Sequence, residues 1–403
     1  MGAGCAIVKV TSLKCKVERK RGGAETCAHE LRLVFLMKRL LVVLCVGLGL
    51  AATSCAAYYD DLGTLEKING EMTRGDEFAD MFTVDGEAFF PIGIWGASTA
   101  NELVDIVNHN FNTTIAYADD KNIELAQKNN LQLFAFLSDF DLDRIVKYEN
   151  VENIFCWYAI DEPDFKGITP DTINDLYVQA SSVTTKPIFI PITPSGSYSE
   201  YLNGLDIIST DMYPIPDSSI VTVYKEILRA YISTGNVKPV IPFIQAFPWS
   251  GKRVPSKEEI RAMVFLSIVA NAKGILYFAY RCTTCNENVW LLPDHDELWT
   301  NIKKNNYEID TIKNYLLYGK NISAEVIINN FHIKYLFKKH DEKRLLILVN
   351  SSEKEQSVAV SFEKNIIKAE DLINKVFITF PKSKLHLNLK RYEVKIFELN
   401  QNP

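Results

Sequence analysis

The sequence predicts an α/β fold: a (β/α)8 (TIM) barrel over residues 82–320, followed by a small antiparallel β-sandwich over 321–403. Three observations predict it. Eight near-continuous apolar runs alternate with amphipathic stretches. The span that holds them, about 240 residues, is close to the roughly 250 of an eightfold barrel. Beyond Lys320 the pattern changes to apolar and polar residues in alternation, the period of a strand with one wet face.

The runs are Phe89–Trp95, Asn112–Tyr117, Leu131–Leu137, Ile154–Ile160, Pro187–Ile192, Asp206–Asp211, Pro239–Gln245 and Gly274–Tyr280, taken as strands 1 to 8. Continuous apolarity marks parallel strands covered on both faces. The helices between them carry start signals. Thr99 with Glu102 and Ser256 with Glu259 fit capping boxes, and Thr169-Pro170 places a cap residue before a proline at the first helical position. Ile260, Met263, Val264, Ser267 and Ile268 form one stripe at helical spacing, which reads as core. A doubly wound open sheet is the competing architecture, but no Gly-x-Gly-x-x-Gly follows the first strand. The antiparallel strands expected after the barrel include Arg344–Asn350, Ser357–Phe362 and Tyr392–Phe397.

The N-terminus reads as an export signal. Met37-Lys38-Arg39, the apolar run Leu40–Ala51 and Ala52-Thr53-Ser54-Cys55 make a positive start, a core too short to span a bilayer and a small-residue cut site. The ending resembles a bacterial lipobox, which implies acylation of Cys55, a membrane anchor and an exported chain. Residues 1–54 are therefore expected to be discarded, with Met37 as the working start and 55–81 as a linker. The 403 residues carry 44 Lys/Arg against 50 Asp/Glu, and residues 1–54 hold nine of those bases but only three of the acids. The remainder is thus more acidic than the whole, with no basic footprint for nucleic acid.

In a barrel the reactive groups come from the C-terminal strand ends and the loops after them. Here those positions hold Trp95, Asp139, Asp161-Glu162, Asp211, Tyr213, Gln245, Phe247, Trp249 and Tyr280, an acidic and aromatic face. Sugars stack apolar C–H faces on aromatic rings and pair their hydroxyls with carboxylates, and glycosidic cleavage runs on two carboxyl groups. Trp157 adds to the aromatic set. No cofactor or metal site is expected: His295 lies between acids in a solvated loop, and no Schiff-base lysine stands at a strand end.

Four segments carry a resemblance. Phe82-Thr83-Val84-Asp85-Gly86-Glu87-Ala88-Phe89-Phe90-Pro91-Ile92-Gly93 resembles the hairpin that leads into strand 1 of many retaining (β/α)8 glycoside hydrolases of the clan A type. Ile154–Pro163, ending Asp161-Glu162-Pro163, is similar to their fourth strand, which implies that Glu162 is the general acid/base. Ile208–Pro214 resembles their sixth-strand "D-x-Y-P" segment, whose tyrosine supports the nucleophile. Gln245-Ala246-Phe247, Glu258–Met263 and Ala272–Ile275 resemble the same family's strand 7 to strand 8 region; together the matches cover most of residues 82–281 and imply an enzyme acting on oligo- or polysaccharide.

At the strand-7 end, where that family carries its nucleophilic glutamate, this chain has Gln245, an amide that cannot form a glycosyl ester at a useful rate. The second carboxylate is expected elsewhere, Asp211 first and Asp139 or Glu287 behind it. The same amide motivates the alternative of a non-catalytic glycan-binding or structural lipoprotein. For Glu162 the structural alternative is an ion pair with a rim arginine such as Arg281. Asp161 is expected to be a substrate hydrogen-bond partner, and Cys282-x-x-Cys285 a local loop disulfide at the barrel mouth.

Overall fold

The computed structural model describes residues 81–400 except Ser195, Thr284, 286–288 and Asn365. Met37, the 1–54 leader, Cys55, all of the 55–81 linker but its last residue, and Glu287 lie outside the described residues. Strands 1 to 8 run Ile92–Trp95, Thr113–Tyr117, Gln132–Phe136, Ile154–Tyr158, Ile188–Ile192, Ile207–Thr210, Phe243–Gln245 and Ile275–Phe278. Each pairs in parallel with its sequence neighbour from 1 to 6, strand 8 pairs with strands 1 and 7, and a parallel bridge between Ile208 and Val240 closes the ring. The fold is a (β/α)8 barrel followed by an antiparallel β-sandwich.

Strand 7 is shorter than the apolar run that marks it, and the cause is local. Pro239 and Pro242 have no N–H to donate, so the segment before Phe243 reaches strand 6 only through Ile208 N–H to Pro239 O (3.0 Å) and Ile241 N–H to Ile208 O (2.9 Å). The expected helix starts are in place: both capping boxes form, and Thr169 Oγ1 accepts the N–H of Thr172.

Aromatic side chains fill the barrel. Phe134, Phe189, Phe243 and Tyr158 meet edge to face or tilted near mid-height, at centroid distances of 5.0–6.4 Å. At the opposite end from the candidate site, Phe155 packs on Phe82 and Phe89 of the hairpin Phe82–Val84/Glu87–Phe89. That hairpin turns through Asp85 and Gly86, both at positive φ (53° and 82°), as a two-residue turn of this hand requires.

The C-terminal strands form two antiparallel sheets. Lys343–Asn350 and Val394–Asn400 are central in one, and Gln356–Phe362 is central in the other. Phe337, Leu346, Leu348, Val358, Val360 and Phe397 are the buried filling between them. The last strand begins at Val394 rather than Tyr392, because Tyr392 is in the left-handed region (φ 56°) and belongs to the turn before it.

Helix Lys257–Val269 lies between barrel and sandwich and is buried along almost its whole length. Glu259, 2% exposed, closes its own capping box and also binds Arg253 and Arg391, so one carboxylate ties the helix start to the sandwich. Burial raises the pKa of this carboxyl, but the arginines and the Ser256 N–H outweigh that and hold it below the usual range. Glu259→Ala is expected to cost about 1–2 kcal/mol, a capping loss plus two half-exposed ion pairs. Because the native carboxyl has the lower pKa, the difference from wild type should be full at neutral pH and vanish as pH falls through it. Thermal melts of both proteins between pH 3 and 7 measure this.

Candidate active site

The C-terminal strand ends open into a cleft of two lobes that share Tyr158, Asp161 and Phe278. The larger, about 480 Å³, is walled by Trp95, Tyr117, Asn122, Phe136 and Arg281. The smaller, about 280 Å³, holds Glu162, Asp211, Tyr213, Phe247 and Trp249. All three acids of the cleft therefore reach the small lobe, and Asp161 alone among them reaches both.

Two consecutive extended residues point to opposite faces of a strand. Asp161 and Glu162 nonetheless share one cavity, because strand 4 ends at Tyr158 and Glu162 takes left-handed backbone, φ 41°. For a non-glycine residue this conformation costs of order 1–3 kcal/mol and is retained only where the surroundings enforce it, most often at functional sites. The structure thus spends stability to aim this carboxyl into the cleft.

The acids differ in what holds them. Asp161 accepts the O–H of Tyr158 at 2.5 Å. Glu162 has no side-chain hydrogen bond or ion pair among the described residues, and Arg281 is instead bound to Glu102. Half-burial, then the charges of Asp161 and Asp164, push the Glu162 carboxyl up to about 7, against a small opposing effect of Lys166. Asp211 Oδ1 is enclosed without a partner, and its Oδ2 is 3.5 Å from the Tyr213 hydroxyl. Burial, reinforced by Asp161 and Glu162, pushes the Asp211 carboxyl well above its ordinary value.

Gln245 lies outside the cleft. Fully buried, it accepts the N–H of Ile215 (2.8 Å) and donates to the carbonyls of Ile215 (2.8 Å) and Phe247 (3.2 Å). The side chain of strand 7's last residue thus pins the loop after strand 6 through Ile215 and the chain after its own strand through Phe247. That loop carries Tyr213, whose ring stands among Phe247, Trp249 and Phe278 at centroid distances of 5.1–5.9 Å.

The other expected site residues divide. Trp95, Asp161, Tyr213, Phe247 and Trp249 line the cleft together with Glu162 and Asp211. Asp139 does not: Ser138 is left-handed (φ 68°) and turns the chain, leaving Asp139 exposed and outside both lobes. Tyr280 lies behind the wall, its hydroxyl on Asp105 (3.0 Å) and its ring edge-on to Trp299. Trp157 faces the helical layer, donating to Thr184 at 2.9 Å. Cys282 and Cys285 form a disulfide, one half lining each lobe. The sequence reading missed Tyr158, Phe278, Phe136 and Asn122. Strand parity offered a signal for the first three, since each is the last residue of its strand and follows an outward-facing neighbour.

The fold matches solved carbohydrate-active enzymes. A maltogenic α-amylase from Thermotoga neapolitana (10% identical, TM-score 0.56) is overlaid by 77% of this chain and over 99% of its own length. The β-galactosidase of Bacillus circulans sp. alkalophilus (7%, 0.56) matches over 80% and 99%. The α-amylase of Geobacillus thermoleovorans, solved with acarbose (9%, 0.55), matches over 78% and 99%. At such identities the likeness is one of fold. No family model and no curated protein sequence matches the chain.

Proposed function

We propose that this protein is an exported glycoside hydrolase acting on uncharged oligo- or polysaccharides, with Glu162 as its general acid. The observation that carries the reading is Glu162 itself: an unpaired carboxyl, pushed up to about 7 and turned into an aromatic cleft by left-handed backbone. A general acid works best with a pKa near the operating pH, and a glycosidic oxygen needs such a proton as it leaves. The preference for uncharged sugars follows from the lining: Asp161 repels uronates, and Arg281, the only cation among the described residues of the two lobes, is occupied by Glu102. Carbohydrate-active enzymes of the same fold, one solved with acarbose, support the substrate class.

Release of reducing ends from a panel of neutral glycans by wild type and Glu162→Gln tests the reading. Turnover lost in the variant supports it. Binding without turnover by the wild type favours instead the non-catalytic glycan-binding protein, the role that an amide in place of the strand-7 glutamate suggests.

Trp249, 44% exposed on the rim of the small lobe, is the natural stacking platform. Trp249→Ala is expected to weaken glycan affinity roughly tenfold, worth about 1.4 kcal/mol, with the melting temperature unchanged. Calorimetric titration with the best glycan of the panel measures it. We further propose that Cys55 is acylated after export, on the strength of the Met37–Cys55 signal. Incorporation of labelled palmitate in cells, lost in Cys55→Ser, is the expected result.

A further inference from the structure

We infer that Asp161 is the second catalytic carboxylate, the nucleophile of a retaining reaction, and that Tyr158 is its positioning residue. This rests on the glycosidase reading above and assigns the role that Gln245 leaves open.

The first ground is placement. A glycosidic bond joining sugars in the two lobes must lie where the lobes meet, and of the three acids only Asp161 lines both lobes. Glu162 and Asp211 are confined to the small lobe, so the leaving sugar lies there, within reach of Glu162.

Orientation is the second ground. A nucleophile must present one oxygen in a fixed direction, and the Tyr158 hydroxyl holds Asp161 Oδ1 at 2.5 Å, leaving Oδ2 to react. Tyr158 is itself fixed by Phe136 and Phe189 at centroid distances of 4.9 and 5.0 Å. Asp211 is held less firmly: the Tyr213 hydroxyl reaches its Oδ2 only at 3.5 Å, and its Oδ1 is enclosed and unpaired among the described residues.

Spacing is the third. Retaining pairs stand about 5–5.5 Å apart, inverting pairs about 6.5–9.5 Å. Asp161 and Glu162 are consecutive in the chain and both line the small lobe, an arrangement that favours the shorter class. The reaction then balances in two steps. Asp161 Oδ2 bonds to the anomeric carbon as the bond to the glycosidic oxygen breaks, and that oxygen takes the Glu162 proton. Water next attacks the same carbon, gives a proton to Glu162 and releases Asp161.

The test uses the wild-type chain and the sugar that the glycan panel identifies. Incubation with the matching 2-deoxy-2-fluoro glycosyl fluoride, followed by peptide fragmentation, is expected to place the added mass on Asp161. The panel substrate should yield product of retained anomeric configuration. Asp161→Ala should lose at least about 10³-fold in kcat, and azide should restore turnover by forming the glycosyl azide. Tyr158→Phe should lower kcat more than it changes KM, whereas a merely structural tyrosine would lower the melting temperature and leave the kcat-to-KM balance alone. A label on Asp211 or Glu162, or product of inverted configuration, overturns this assignment while leaving the hydrolase reading intact. No turnover by the wild type on any glycan overturns both.

Discussion

Glu162→Gln is expected to lower kcat/KM on natural glycans by about 10² to 10⁴-fold, the usual value of a positioned general acid. Glutamine keeps the size of the side chain and removes only the proton that the leaving oxygen needs. The loss should therefore depend on the leaving group. Aryl glycosides that depart as stable phenolates need little protonation and should retain most of their turnover. Stability should not fall, because the native carboxyl has no partner to lose among the described residues and sits uncomfortably when ionised beside Asp161 and Asp164. Initial rates on a natural glycan and on a dinitrophenyl glycoside, with a melting curve for each protein, check all three expectations.

Gln245→Glu restores the residue type that the resembled family carries at the end of strand 7, yet it is expected to destabilise the protein without creating a nucleophile. The amide donates to the carbonyls of Ile215 and Phe247 in a site with no exposure. A carboxylate there would face two carbonyl oxygens with no proton to offer, and a neutral carboxylic acid could satisfy only one. The cost should be about 2–4 kcal/mol, the sum of a lost buried donor and an unsatisfied carbonyl. Because the loop so pinned carries Tyr213, activity should fall as well. Denaturant titration of the variant, with its rate on the best glycan, measures both. A more active variant at undiminished stability would show that position 245 does reach the reacting atoms.

The barrel was largely legible in the sequence because its determinants are local and repeated. Each strand is a short apolar run, and the capping residues Thr99, Thr169 and Ser256 stand where the helices begin. The acids of the site were legible for the same reason: a barrel puts its chemistry at strand ends, and Asp161-Glu162 and Asp211 occupy two of them.

What was not legible is which way side chains turn once a strand has ended. Tyr280 stands two residues past the last residue of strand 8 and faces Trp299 behind the wall, whereas Phe278 faces the cleft. Asp139 is turned out by the left-handed Ser138, and Glu162 is turned in by its own left-handed backbone. No residue type announces such a conformation in a serine or a glutamate; it is imposed by the packing around the loop. Gln245 is a related case. Its position suggested a worn catalytic site, but its hydrogen bonds to Ile215 and Phe247 show a buried clamp, a role that only the folded neighbourhood of the strand-6 loop defines.

The pH dependence of kcat/KM on a neutral glycan shows whether Glu162 acts as a proton donor held near neutrality. The carboxyl must be protonated to act and is pushed up to about 7, so activity should be full below that pH. It should then fall about tenfold per pH unit above it. On an aryl glycoside that needs no proton, Glu162→Gln should show no such alkaline limb. An alkaline limb that persists unchanged in Glu162→Gln, with turnover equal to wild type, would rule Glu162 out as the proton donor.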